Sequence, residues 1–198
     1  MITFRDREIA NERLILESRT ELYYLGPALT LRNCTLVVKV PRKALVLNQV
    51  NLIDCTIEVA RVLKDYQWDR VHLKGCRFKG RFVGNDFGNR RDTNKGSIVD
   101  CDFSEAHLDA TRFLDCDTRT LRFPRWPFFT LFDPVRRSGQ LQSLPWPTRL
   151  GRLQMECLAE APPETMAVTY SAVEFAKRSG TTPEAIKAVV EKLDGVYF

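Results

Sequence analysis

Apolar positions recur along the first two thirds of the chain with two superimposed periods. The longer is about 20 residues. LRNCTL from Leu31, LIDCTI from Leu52, LKGCRF from Leu73 and IVDCDF from Ile98 each hold an apolar residue, two more residues, a cysteine, one residue and a large apolar residue. Cys34, Cys55 and Cys76 follow one another at 21 residues, and Cys101 comes 25 later. A fixed repeat of this length marks an architecture in which each unit buries its apolar face against its neighbours. The repeat is too short for a helix pair and fits one turn of a coil built from short extended segments.

The shorter period is five. From Cys101 the chain reads CDFSE, AHLDA, TRFLD, CDTRT, LRFPR. The first position holds Cys101, Ala106, Thr111, Cys116 and Leu121, mostly small; the third holds Phe103, Leu108, Phe113, Thr118 and Phe123, mostly large and apolar. LTLRN-CTLVV from Leu29, VNLID-CTIEV from Val50 and VHLKG-CRFKG from Val71 fit the same frame. Strand alternation has period two and a helix 3.6, and neither sustains this pattern. A coil with four faces of five residues satisfies both periods. Its third positions point inward, its first positions pack beside them, and successive turns stack at the strand spacing of about 4.8 Å. The cysteines then form an internal column, which suits a small, readily buried side chain.

This pattern resembles that of the pentapeptide-repeat proteins, which form right-handed quadrilateral β-helices. The resemblance covers residues 29–124 and runs without interruption from Gly96 to Arg125. VKVPRK (38–43) and ARVLKDYQWDR (60–70) fit the frame poorly and are expected to be bulged or looped faces. The resemblance implies a mainly β fold: a right-handed β-helix, or β-solenoid, of about five turns with a helical C-terminal cap. Relatives of this architecture include acidic, rod-like proteins that imitate DNA and protect gyrase from inhibitors. This chain departs from them, being basic.

On either side of the repeat the pattern changes. Residues 1–28 are expected to cap one end of the coil, with EIANERLILE as a helix or an entry strand. GNDFGNRRDTNKGS (84–97) reads as a loop, from its glycines and asparagines, including Asn94. Residues 125–198 form the third segment. FPRWPFFTLFDPVRRSGQLQSLPWP (123–147) holds five prolines and six aromatics, which predicts that the chain leaves the coil there and lays rings over its C-terminal end. ETMAVTYSAVEFAKR is expected to be a helix stopped by Gly180, and AIKAVVEKL a second helix capped by Thr181 or Thr182 with Pro183 in its first turn.

Charge brings in the candidate chemistry. The 198 residues carry 30 Lys and Arg against 25 Asp and Glu, a formal net charge of +5. Basic residues crowd between Arg70 and Lys95, where Asp86 and Asp92 alone oppose them. Arg77, Lys79, Arg81, Arg90 and Arg91 are the candidate partner-binding residues: a positive field attracts acidic partners and speeds encounter. Outward positions of a coil must be polar in any case, so a solvated face accounts for the same residues.

Catalytic signatures are sparse. His72 and His107 both fall at outward second positions, and neither belongs to an HExxH or lies beside a nucleophile motif. The chain has no CxxC, no GxxxxGK[ST] and no GxGxxG. The six cysteines are expected to be reduced, and five of them buried. No catalytic, cofactor or metal residue is therefore assigned. No apolar run reaches the length of a membrane span, and MITFRDREIANER lacks the apolar core of a secretory signal, so cytoplasmic residence is expected.

Two functions follow. The first is a non-enzymatic module that binds another protein of acidic surface and neutralises or protects it, as an immunity protein does its toxin. The alternative is DNA binding through AKRSGTTPEAIKAVV (176–190), which resembles a helix-turn-helix, with Thr182, Glu184, Ala185 and Lys187 nearest the bases. Glu184 and Glu191 place negative charge where phosphates would come, and a helix hairpin packed on the coil has the same spacing.

Overall fold

Asn33, Asp54, Gly75 and Asp100, the residues immediately before the four repeated cysteines, all adopt positive φ, at 50°, 53°, 66° and 54°. Glycine enters the left-handed region freely, and Asn and Asp enter it more readily than other side chains. Each forms a corner at which one extended segment ends and the next begins. Asn11 (φ 60°) makes the same corner one turn earlier, in the phrase IANERL.

The computed structural model describes residues 1–91 and 95–198. It is 41% strand and 21% helix and forms a β-solenoid of about four turns with a few helices at the C-terminal end. Strands β1 (Ile2–Phe4), β2 (Arg7–Ala10) and β3 (Arg13–Leu16) lead into β4 (Tyr23–Leu25), β5 (Leu29–Arg32) and β6 (Thr35–Val38). Next come β7 (Leu45–Leu47), β8 (Val50–Ile53) and β9 (Thr56–Lys64), then β10 (Val71–Lys74), β11 (Arg77–Val83) and β12 (Asp86–Gly88). The last set is β13 (Ser97–Val99), β14 (Ala106–Asp109) and β15 (Thr111–Leu114). Strands about 22 residues apart pair in parallel, giving stacks β1-β4-β7, β2-β5-β8-β10-β13 and β3-β6-β9-β11-β14.

Residues 1–28, expected as a cap, are thus the first turn of the solenoid itself, in register with the second: Ile2 lies over Tyr23, Arg7 over Leu29 and Arg13 over Thr35. The expected loop 84–97 also yields in part to the sheet. Asp86–Gly88 is a buried strand, and Ser97 opens the next. Asp92 and Asn94 lie outside the described residues.

Inside the coil the frame of five is visible as burial. Cys101, Phe103, Ala106, Leu108, Thr111, Phe113, Leu121 and Phe123 are all buried, while Cys116 is half-buried. Aromatic rings stack through successive turns: Phe78 lies on Phe103 at 4.4 Å between centroids, Trp68 on Phe87 at 5.1 Å and Phe87 on Phe113 at 5.7 Å. Phe123 continues the column edge-on to Phe113, and Phe132 edge-on to Phe123. These two rings pack on the solenoid core at its C-terminal end, while Trp126, Phe129 and Trp146 of the same segment join a second core. Gly80 (φ 102°) sits mid-way along β11, where the register shifts. A Cβ there would lie 2.2 Å from the carbonyl oxygen of Val59 in the turn below.

Beyond Phe123 the chain adds β16 (Phe128–Phe132), α1 (Ser138–Ser143), α2 (Arg149–Glu156), β17 (Thr165–Ser171), α3 (Ala172–Ser179), α4 (Pro183–Val190) and β18 (Val196–Tyr197). The order β12-β15-β17-β16-β18 extends one face of the coil into this lobe, with β17 antiparallel to β15. The first half of the helix expected over ETMAVTYSAVEFAKR is therefore strand. Thr165, Val168, Thr169 and Tyr170 are β-branched or aromatic, and sheet neighbours lie on both sides of them. A second core of Phe129, Leu131, Met155, Val168, Phe175, Ile186 and Val190 unites the lobe. Among the described residues no helix is long and apolar enough to cross a membrane.

Phe113 is fully buried between Phe87, Phe103 and Phe123. Phe113→Ala should cost about 3–5 kcal/mol in urea denaturation, from lost transfer energy and the cavity left behind. A near-neutral melt would remove Phe113 from the core column.

Candidate partner-binding surface

Alternation along β11 turns Phe78 and Phe82 into the core and Arg77, Lys79 and Arg81 outward. Their surroundings differ. Lys79 Nζ lies 2.9 Å from Glu105, and Arg81 3.3 Å from Glu174 on α3, so both have acidic partners. Arg90 and Arg91 come after the corner at Gly84 and after β12, which belongs to the fourth sheet; Arg90 is half-buried and Arg91 exposed. The five candidates thus fall into two groups, three on one strand and two in the segment after another sheet's strand.

Around Arg77 the structure assembles basic residues that the sequence reading passed over. Arg77 bridges in parallel to Asp102, and Asp102 to Arg122. Together with Gly75, Asp100 and Arg119 they line one open groove. Arg122 Nη1 stands 3.9 Å from Asp102, and the side chain remains 81% exposed. Arg119 forms a two-pronged pair with Asp117, Nε to Oδ1 at 2.8 Å and Nη2 to Oδ2 at 2.7 Å, and is 88% exposed. This pairing holds the Asp117 carboxyl down at about 2. Burial acts to raise Asp102, but hydrogen bonds from Ser104 and the Arg122 and Arg77 guanidinium groups outweigh it, leaving the carboxyl below its ordinary value. Arg122 was legible as one 20-residue turn beyond Asp102, at the same second position of the frame.

Two further carboxylates take arginine partners, one fastening the C-terminal lobe to the coil and one joining neighbouring strands within the coil. Asp109 and Asp86 lie at the ends of their faces and are buried. Asp109 accepts from both terminal nitrogens of Arg178 on α3 and from the Ser171 backbone N–H. Asp86 accepts two hydrogen bonds from Arg112, both 2.7 Å. His107, at an outward position of the coil, is half-buried against the Phe128 ring, and burial and nearby Arg81 lower its pKa. His72 is exposed, its Nδ1 3.0 Å from Ser97 Oγ.

The helix-turn-helix-like segment has the expected form. Gly180 ends α3 in the left-handed conformation, and Thr182 caps α4 by accepting from the Ala185 N–H at 3.2 Å. Glu184 is exposed, Ala185 half-buried, and Lys187 lies over the Trp126 ring at 5.2 Å and 3.7 Å from Glu191. α3 is committed to the coil through Glu174 and Arg178.

The cysteine column has its own chemistry. The Sγ–H of Cys34, Cys55 and Cys76 donates to the carbonyl of Ile9, Leu31 and Leu52 respectively, one turn below. The hydrogen bond with Cys76, together with burial, raises the Cys55 thiol far above its ordinary value. The hydrogen bond with Cys101 helps to push Cys76 up to about 12, and burial beside Asp115 and Asp117 takes Cys116 to about 12. All six cysteines are free, and Cys157 is exposed. The described residues contain no group of three or more His, Cys, Asp or Glu side chains that could hold a metal ion.

No protein-family model, curated protein or solved structure matches the chain.

Because the thiolate is the reactive form, alkylation of native protein should modify Cys157 first, with Cys55 and Cys76 protected until denaturant is added. Peptide mapping after a short pulse checks this; labelling of Cys55 as fast as Cys157 would contradict the buried column.

Proposed function

We propose that the chain is a non-enzymatic protein-interaction module, a rigid solenoid of the pentapeptide-repeat kind whose basic side docks an acidic surface of another protein and neutralises or protects it. The observation that carries the reading is the column Arg77–Asp102–Arg122 with Arg119 at its rim. Arg119 and Arg122 are long and largely exposed, Arg122 on backbone bridged to the turn below and Arg119 in a tight turn capped by Asp117. Side chains presented from a fixed frame lose less freedom on binding than those of a mobile loop, and guanidinium forks match carboxylates in pairs. Asp102 spaces the two arginines and leaves their outer donors available to a partner. Lys79 and Arg81 add to the long-range field, although each already has an acid beside it.

A second reading, DNA binding through α4, rests on the α3–Gly180–α4 geometry. The carboxylates of Glu184 and Glu191 oppose it, and duplex DNA is expected to leave the protein's fluorescence anisotropy unchanged.

The test begins with affinity capture from the native cell and mass spectrometry, which supplies the partner. Reversal of both Arg119 and Arg122 to Glu should then slow association roughly tenfold or more at low salt. The gap should narrow at physiological salt, where the Debye length is about 8 Å. The melting temperature should stay close to that of the wild type, because exposed ion pairs contribute little to stability. Equal association rates at both salt concentrations would remove this face from the mechanism.

A further inference from the structure

The two ends of the solenoid differ. At the C-terminal end Phe123, Phe132 and the lobe cover the core. At the other end β1, β2 and β3 are the terminal strands of three separate sheets. Their hydrogen bonds run in one direction only. Ile2 and Phe4 bond to the turn above through Leu22 and Gly26, Arg7 and Asn11 donate to Ala28 and Arg32, and Glu12 and Leu16 accept from Thr35 and Lys39. In a parallel ladder alternate residues turn their backbone groups to opposite sides. Thr3, Glu8, Ala10, Arg13 and Ile15 therefore aim N–H and C=O out of the open end. The inward side chains of this turn, Ile2, Phe4, Ile9 and Leu14, pack on the core but remain partly exposed, because no described residue packs beneath them.

We infer that this end is the interface of a closed dimer formed with a second copy of the chain. The occupant follows from four features. Three edges on three faces end together, and a single added strand would satisfy one of them; a second solenoid end meets all three. A twofold axis across the solenoid sets β2 antiparallel to its own copy and brings β1 against β3 on either side. The charge suits self-association: Arg5, Arg7, Arg13, Arg19 and the Met1 amine stand against Asp6, Glu8, Glu12, Glu17 and Glu21, equal in number and interleaved. A patch that meets itself must be balanced in this way. Of the devices that blunt an edge, proline and lysine do not occur in this turn, the first proline being Pro27 and the first lysine Lys39, whereas its strands are short and carry Arg7, Glu8 and Arg13. Because the lobe occupies the opposite end, stacking stops at two copies and does not propagate into a fibre.

Sedimentation equilibrium of the full chain tests this. The expected mass is twice the 22.8 kDa of one chain. Ala10→Pro removes one outward-facing N–H and places a ring at the open edge, while the hydrogen bonds of Arg7 and Asn11 to the turn above remain. It should give a monomer with unchanged far-ultraviolet dichroism. Glu12→Arg unbalances the patch without touching the ladder and should raise the dimer dissociation constant roughly tenfold or more. If Ala10→Pro fails to fold, Glu12→Arg decides alone. A wild-type protein that stays monomeric over the whole concentration range would overturn the proposal. So would wild-type dimerisation in the folded variants.

Discussion

The solenoid depends on a corner. At one corner of every turn a residue in the left-handed conformation, Asn11, Asn33, Asp54, Gly75 or Asp100, redirects the chain, and further positive-φ residues such as Ala28, Gln49 and Ala110 stand at other corners. The N–H groups of the first four donate to the turn above, at Arg32, Ile53, Lys74 and Val99. The following residue returns the bond: the carbonyls of Cys34, Cys55, Cys76 and Cys101 accept from Thr56, Arg77, Asp102 and Arg122. Thiols of the column reach down to the carbonyl of the apolar residue that opens each repeated phrase. A small side chain with a weak donor thus fits where a larger one would hold the turns apart. The side chains of Asn33 and Asn11 add a 2.7 Å hydrogen bond along the same edge. With the corner fixed, the strand registers follow, and with them the stacking of Phe78 on Phe103 and of Phe87 on Phe113, with Phe123 edge-on to Phe113.

Much of this was legible, because a coil repeats its physics at a fixed interval. The cysteine period located the stacking, and the five-residue frame named the buried residues from Cys101 to Phe123. What escaped reading has particular causes. The first turn carries the corner phrase as IANERL, but Glu12 occupies the cysteine position. A charge is tolerated there because Glu12 is exposed on the terminal turn, and its presence broke the pattern that was being followed. Thr165–Ser171 looked helical beside the true helix α3, and only pairing with β15 and β16, both distant in sequence, makes it strand. Arg122 joined Arg77 through Asp102 by stacking over intervals of 25 and 20 residues, which no local motif displays, and Arg119 lines the same groove from the turn before Arg122.

The division of labour between backbone and side chains shapes the functional reading. Hydrogen bonds between turns hold the frame, and the inward positions fill the core, so outward positions such as Arg77, Lys79, Arg122 and His72 are free to vary in chemistry without unsettling the fold. The C-terminal lobe closes one end and clamps itself to the coil through Asp109–Arg178 and Arg81–Glu174. The sides and the N-terminal end are left uncovered by the lobe, and both proposals rest on them.

The central claim, that left-handed corners hold the turns in register, is tested most directly at Asp54, whose side chain makes no hydrogen bond among the described residues and whose φ is 53°. Urea denaturation should be compared for wild type, Asp54→Gly and Asp54→Val. Glycine enters this conformation without strain and should leave stability near that of the wild type. A β-branched side chain is forced into a sparsely populated region, so valine should cost about 1–3 kcal/mol. Equal stability of the valine and glycine variants would contradict the account.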